Sequence, residues 1–375
     1  MEVAGHPFDR IGSGVETVRF PRYGNESPAS VATMRKALIA VLVGVAILAS
    51  ACTSNDIILN VPNFPIISAS VGCGGAVHHP DGSTSIPMRV GRSAGEAIET
   101  VNLCFGTKGP YPFIVDTGAA TTVFDSSLAK KLHLSWSGPS VGSQGAGCTA
   151  SSRPASVTTW AVGGLTLTPQ SVQVQLMPGF GGSGNPWGLL GSDVWSRFGA
   201  LRFDFRRGTL TVPGTEAAPP TSDIEITSDS GRPTPLALIA APPVMTAPMV
   251  VDSGPTYTEM LVNVDIGRLS GLPFAPDTGS SGSLIDTATA KRAHLTFSRY
   301  QEGGSTVCST ITTHFAVSGS WSLNGSALPG TLMSTVDLGP VSQAGFAGLL
   351  GSDVMSRFAS VVFDYRGGRL LLGAG

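Results

Sequence analysis

The sequence carries little charge, and none of it is concentrated. Charged residues make up 13 % of the 375, with 25 acidic against 23 basic, and no long run of one sign occurs. Nucleic acid or an anionic membrane surface as the main partner needs clustered cations, so both are disfavoured. No His-Glu-x-x-His and no Gly-x-x-x-x-Gly-Lys loop is present, which leaves zinc peptidase and nucleotide hydrolase chemistry without an anchor. Cys-x-x-Cys is missing too, and His78-His79 near Cys73 has no second ligand cluster in the sequence; neither a metal nor a cofactor is expected. Strong helix formers are sparse. With Gly at 48 and Pro at 27, and Thr, Ser and Val abundant, the composition reads as short strands joined by turns.

An apolar run long enough to span a bilayer is also lacking. Ala37–Ala51 follows the basic Arg35-Lys36 and is free of charge, but at 15 residues it has the length of a signal-peptide core. Two readings of its end remain open. Small residues before Cys52 resemble a bacterial lipobox, which would make Cys52 a lipidation site and the membrane a partner through a lipid anchor. Ala49-x-Ala51 also suits ordinary signal peptidase and free secretion, the less favoured of the two readings. Residues 34–52 are thus expected to be an export signal and 1–33 an extension from a misassigned start, with translation beginning at Met34; a genuine extension before a membrane anchor is the other possibility. Either route puts the mature chain outside the cytoplasm, where disulfides persist. Cys73, Cys104, Cys148 and Cys308 remain, and four cysteines allow three pairings.

What the chain does have is a copy of itself. Val101-Asn102 recurs as Val262-Asn263, Pro112-Phe113 as Pro273-Phe274, and Asp116-Thr117-Gly118 as Asp277-Thr278-Gly279. Asp125, Ala129, Lys130, His133 and Leu134 return as Asp286, Ala290, Lys291, His294 and Leu295 in the same ungapped register. A second block, Gly188-Leu189-Leu190-Gly191-Ser192-Asp193-Val194, returns as Gly348-Leu349-Leu350-Gly351-Ser352-Asp353-Val354. Order, spacing and apolar positions agree together, so the organisation is two homologous lobes, 86–212 and 247–375. Between them a Pro- and Ala-rich linker covers 213–246, in which Ile224-Glu225-Ile226 has the pattern of a short strand. An irregular leader is expected over 53–85.

Within each lobe an apolar run such as Phe113-Ile114-Val115 ends at the aspartate, as a buried strand delivering a loop does. Asp125 is placed to cap a brief helix through Leu132. Ser192 or Asp193 is expected to cap another through Phe198, with Asp353 its counterpart. His133 and His294 read as helix-end residues, and Asp204 and Asp364 as structural acids in strands.

The repeated Asp-Thr-Gly, with an apolar-apolar-Gly element about seventy residues on, resembles the retropepsin-like and pepsin-like aspartic proteases over roughly 86–373. The resemblance implies a mostly β, bilobal acid-protease fold: two retropepsin-like barrel lobes about a pseudo-twofold axis, in a monomer. It implies an aspartic endopeptidase acting on peptide or protein substrates, with Asp116 and Asp277 catalytic. As in that family generally, the two would share one proton, because carboxylates so close cannot both ionise. Thr117, Gly118, Ala119, Thr278, Gly279 and Ser280 are then the loop supports. The two threonines are expected to exchange hydrogen bonds across the lobes. Leu189-Leu190-Gly191 and Leu349-Leu350-Gly351 are the expected buttresses, and Val141–Gly147 the flap. Flap residues in this family can lie near the axis, which points to Cys148–Cys308 and leaves Cys73–Cys104. Asp229 and Asp252, each opening an Asp-Ser-Gly, fall outside the repeat register. Pro276 stands where an apolar strand residue is usual. Ser280, facing Ala119 in the other copy, is expected to donate its hydroxyl to Asp277, leaving the shared proton mainly on Asp116. The alternative from another class is a catalytically silent lobe pair that binds peptides or envelope components; intact Asp-Thr-Gly in both copies favours an enzyme. A third possibility is a processing activity confined to its own precursor.

Overall fold

A computed structural model describes residues 72–373, apart from 94, 183, 227–233, 236–237, 239–242 and 344. The expected extension 1–33, the export segment with Cys52, and Asp229 lie outside the described residues. The fold is mostly β and bilobal. In each lobe two long strands form a hairpin: Glu96–Phe105 with Lys108–Val115, and Tyr257–Ile266 with Leu269–Pro276. Inward positions alternate. Ala97, Val101 and Leu103 are buried in one, Met260, Val262 and Val264 in the other, the period-2 pattern of a strand with one face on a core.

The short Gly-Leu-Leu strands do the threading. Gly188–Leu190 pairs in parallel with Lys108–Val115 and antiparallel with Val123–Asp125, so it lies between the strand entering the Asp116 loop and the strand leaving it. Gly348–Leu350 does the same between Leu269–Pro276 and Leu284–Asp286. A side chain at Gly188 has no room, because a Cβ there would lie within 2.5 Å of the Phe113 ring. Phe113 in turn meets Phe124 edge-on, 4.9 Å between centroids, in the lobe 1 core.

The lobes are joined by a shared sheet. It runs Thr84–Pro87, Thr209–Val212, Leu201–Asp204, Ser360–Asp364, Arg369–Gly373, Pro243–Gly254, all antiparallel. Leu201–Asp204 and Ser360–Asp364 are repeat mates that pair with each other, which puts the pseudo-twofold between them. Phe203 and Phe363 meet there at 5.6 Å.

Three sequence-based expectations are corrected. The leader is not irregular to residue 85: Val77–His78 and Thr84–Pro87 are paired strands, the latter completing the interlobe sheet. His78 and His79 bond Thr84 and Ser85 there. Lobe 2 begins before 247, because Pro243–Gly254 is one continuous strand with Met245, Ala247, Met249 and Val251 buried; prolines at 243 and 248 masked that alternation. Neither Ser192 nor Asp193 caps its helix. The cap positions are Gly191 and Gly351, with no side-chain bond, and Asp193 instead accepts from Thr122 and Gln170, as Asp353 does from Ser283 and Thr331. Asp125 does cap Ser126–Leu132. Ile224–Ile226 is a strand, paired with Val251–Ser253.

Candidate active site

Asp116 and Asp277 each follow a central strand, and both are fully buried. Each is fixed first by its backbone: Asp116 N–H donates to Leu190 O at 3.1 Å, Asp277 N–H to Leu350 O at 2.9 Å. These bonds use the threaded Gly-Leu-Leu strands as the floor of the loops. Pro276 therefore does no harm, since the donor that matters is the next residue's, and its carbonyl accepts from Thr117 Oγ1 at 2.8 Å.

The loops then clasp each other. Thr117 N–H donates to Thr278 Oγ1 at 3.2 Å and Thr278 N–H to Thr117 Oγ1 at 3.0 Å. Thr278 Oγ1 donates onward to Val115 O at 2.6 Å, mirroring the Thr117 bond to Pro276. Gly118 lies flat against the Asp277 carboxyl and Gly279 against that of Asp116; a Cβ on Gly118 would sit 2.6 Å from either Asp277 oxygen. Backbone approach this close is what only glycine permits.

The carboxyl oxygens divide into two kinds. Oδ1 of Asp116 accepts from Ala119 N at 2.7 Å; Oδ1 of Asp277 accepts from Gly279 N at 2.8 Å and Ser280 N at 3.2 Å. Oδ2 of each is buried and without a hydrogen-bond partner among the described residues. Burial pushes Asp116 up to about 6, and it pushes Asp277 well above the usual carboxylate range, where the Asp116 charge adds to the effect. Two buried acids sharing one proton behave in this way.

An aspartyl protease family model matches residues 101–194 and again 262–354. The chain belongs to the aspartyl protease family, in its two-lobed, retropepsin-like form. No curated protein matches the chain.

In this aspartyl protease family member the expected proton asymmetry is corrected. Ser280 Oγ donates to Gly282 O at 2.6 Å rather than to Asp277, because the tight turn offers a nearer carbonyl. Both aspartates thus accept loop N–H groups and face each other's carboxyl, and Ser280 adds no bond that would bias the shared proton toward Asp116. Asp252 lies away from the site, paired with Glu259 in a strand and accepting from Tyr257 OH at 3.3 Å. Gly138-Pro139-Ser140-Val141-Gly142 has the spacing of a serine nucleophile, but it leads into a strand of a hairpin and not from a strand into a helix.

A roof covers the pair. Val141–Gly145 and Cys148–Val157 form a hairpin from lobe 1, with Ala146-Gly147 at its tip. Lobe 2 contributes its own, Thr296–Ser305 with Thr310–Val317; the sequence pattern did not identify it, although Cys308 and Gly303-Gly304 were its signals. The tips cross over. Ala146 packs in a lobe 2 cluster with Ala275, Leu284 and Leu349, while Val307 packs in a lobe 1 cluster with Ile114, Ala119 and Leu189. Gln175 Nε2 donates to Val307 O at 3.2 Å. Cys148 and Cys308 are bonded to each other at the crossing, Cα atoms 6.1 Å apart, and Cys73 is bonded to Cys104. An open pocket on lobe 2, bordered by Gly147 of the lobe 1 tip, is lined by Lys291, Phe297, His314, Thr335 and Val336 and includes neither aspartate.

Proposed function

We propose that the protein is an aspartic endopeptidase in which Asp116 and Asp277 activate a water between them. One observation carries this reading: the two carboxyls are buried against each other, Oδ1 of each held by loop N–H groups and Oδ2 of each, here the outer oxygen, given no bond by any other described residue. A buried acceptor without a partner is costly, and a water between the two outer oxygens would satisfy both. With the proton on Asp277, the ionised Asp116 takes a proton from that water as its oxygen attacks the scissile carbonyl carbon. Asp277 gives its proton to the carbonyl oxygen, and a tetrahedral diol results. Collapse returns a proton to Asp277 from one hydroxyl while the leaving nitrogen receives one from Asp116, and the C–N bond breaks.

The substrate is an extended polypeptide lying between the roof and the paired aspartates. Disulfides support a site of action outside the cytoplasm, and among the described residues no helix is long and apolar enough to cross a membrane. Anchoring through a lipid on Cys52, or free secretion, fits this setting. Because one chain supplies both aspartates, a monomer suffices. Incubation with a proteome-derived peptide library at several pH values, with and without pepstatin, tests the activity; absence of cleavage under every condition would leave the peptide-binding alternative in its place.

A further inference from the structure

The serine of each Gly-Ser-Asp turn sits under an active loop. Ser192 Oγ donates to Thr117 O at 2.8 Å, and Ser352 Oγ approaches Thr278 O at 3.3 Å. Each carbonyl belongs to the peptide unit whose N–H end is Gly118 or Gly279, and Gly279 N–H is a donor to Asp277. Holding the carbonyl therefore aims the N–H. Each serine also meets a group from the opposite lobe, and here the symmetry fails. Ser192 meets Tyr365 OH at 3.1 Å. Ser352 meets Glu99 Oε2 at 2.7 Å. The repeat mate of Glu99 is Met260, and that of Tyr365 is Phe205.

A hydroxyl has one proton to give. Tyr365 can donate to Ser192 Oγ, which leaves the serine proton for Thr117 O. Glu99 can donate only when protonated. Ionised, it takes the Ser352 proton for itself, and Thr278 O loses its donor. We propose that Glu99 is a positioning residue whose protonated carboxyl donates a hydrogen bond to Ser352 Oγ, which frees the Ser352 hydroxyl for Thr278 O and so holds Gly279 N–H on Asp277.

Burial supports the neutral form: Glu99 is fully enclosed, its Oε1 has no hydrogen-bond partner among the described residues, and burial pushes its carboxyl up to about 8. The charged groups around it come from each neighbouring element. Arg92 on the adjoining strand Arg89–Ser93 favours the ionised form, but its guanidinium is bonded to Ser356 Oγ and Ser356 O. Glu96 on the same strand as Glu99 accepts from Ser281. Asp353, beside Ser352, is turned to Ser283 and Thr331. Asp277 lies beyond the Thr278–Gly279 peptide. An acid at an inward position of an otherwise apolar alternation, Ala97-x-Glu99-x-Val101, was the sequence signal for it.

This inference rests on the proposed role of Asp277, but its test does not require cleavage. The Gly279 amide resonance is followed from pH 6 to 9 in the wild type, Glu99→Gln and Ser352→Ala. In the wild type it shows a step with a midpoint near the Glu99 pKa, beside any step the paired aspartates contribute; in Glu99→Gln, whose amide donates at every pH, that step is absent and only the aspartates' remains; in Ser352→Ala it is absent too. If proteolysis is present, Ser352→Ala lowers kcat about ten-fold with KM little changed, and Glu99→Gln stays within about two-fold of wild type at pH 6. A Gly279 transition unchanged in Glu99→Gln overturns the proposal, whether or not the protein cleaves peptides.

Discussion

Thr117 and Thr278 each give a backbone N–H to the other's hydroxyl across the lobe boundary, at 3.2 and 3.0 Å. Each hydroxyl passes its own proton to a strand-end carbonyl of the opposite lobe, Pro276 O or Val115 O. Replacing one threonine by valine keeps the shape and strands both an N–H and a carbonyl in a buried site. Thr117→Val or Thr278→Val is expected to cost about 2–6 kcal/mol, at about 1–3 for each of the two unsatisfied groups, and to lower kcat more than it raises KM. Denaturant unfolding with steady-state kinetics checks this. Stability equal to wild type would mean that the clasp carries no weight.

The paired aspartates should reveal themselves first as a linked proton. Both folded-state pKa values are raised above the ordinary aspartate value of 3.8. The folded protein therefore keeps a proton that the unfolded chain has released, and the associated stability is full below about pH 4 and is lost as pH rises through about 6. Melting temperature measured from pH 4 to 7 should fall in the wild type and fall less in Asp116→Asn. Either Asp116→Asn or Asp277→Asn should reduce kcat by at least about 10²–10⁴-fold, the scale of acid–base catalysis, while Asp252→Asn stays near wild type. Full activity in either dyad variant would remove the assignment.

Glycine substitutions offer a steric contrast. A methyl at Gly118 would press on the Asp277 carboxyl, whereas nothing lies within 4 Å of a Cβ on Gly142 in the lobe 1 hairpin. Gly118→Ala is expected to be inactive and destabilised by about 1–3 kcal/mol, the range for overpacking; Gly142→Ala should match the wild type within about 0.5 kcal/mol. Thermal unfolding of the two side by side is the measurement.

The roof disulfide joins residues 160 apart in sequence, and constraint of the unfolded chain on that scale is worth up to about 5 kcal/mol. The Cys148→Ser/Cys308→Ser variant should be less stable yet admit substrate faster, raising kcat/KM several-fold on long polypeptides. Equal kcat/KM before and after selective reduction would show that the tips part without breaking the bond.

Much of this site was legible because the chain states it twice. One Asp-Thr-Gly is weak evidence, but a second in register with two Gly-Leu-Leu-Gly-Ser-Asp elements leaves few arrangements, and the threonine clasp follows from placing two such loops on one axis. What stayed hidden were features in which the copies differ and local choices of hydrogen-bond partner that both copies share. Ser280 was expected to reach Asp277, but choosing between two acceptors within one turn depends on carbonyl directions that a sequence does not carry. Asp193 reads as a cap until Gly191 is seen at the cap position. Glu99 has no repeat mate of its own kind, so the comparison that exposed Asp116 could not expose it. The lobe 2 hairpin escaped because its glycines and threonines lack hydrophobic alternation.

The bridge between Cys148 and Cys308 also changes the topology of the molecule. From Cys148 the backbone runs down the lobe 1 hairpin, through the interlobe strands Leu201–Asp204, Thr209–Val212 and Pro243–Gly254, and up the lobe 2 hairpin to Cys308, where the sulfurs close it. That is a covalent ring, with the roof above and the interlobe sheet below. Any polypeptide occupying the space between is threaded, not clasped. It can enter only by a free end or a slack, unfolded stretch drawn through end-first, and a cyclic peptide or a chain capped by a folded domain at each terminus has no way in while the ring is intact.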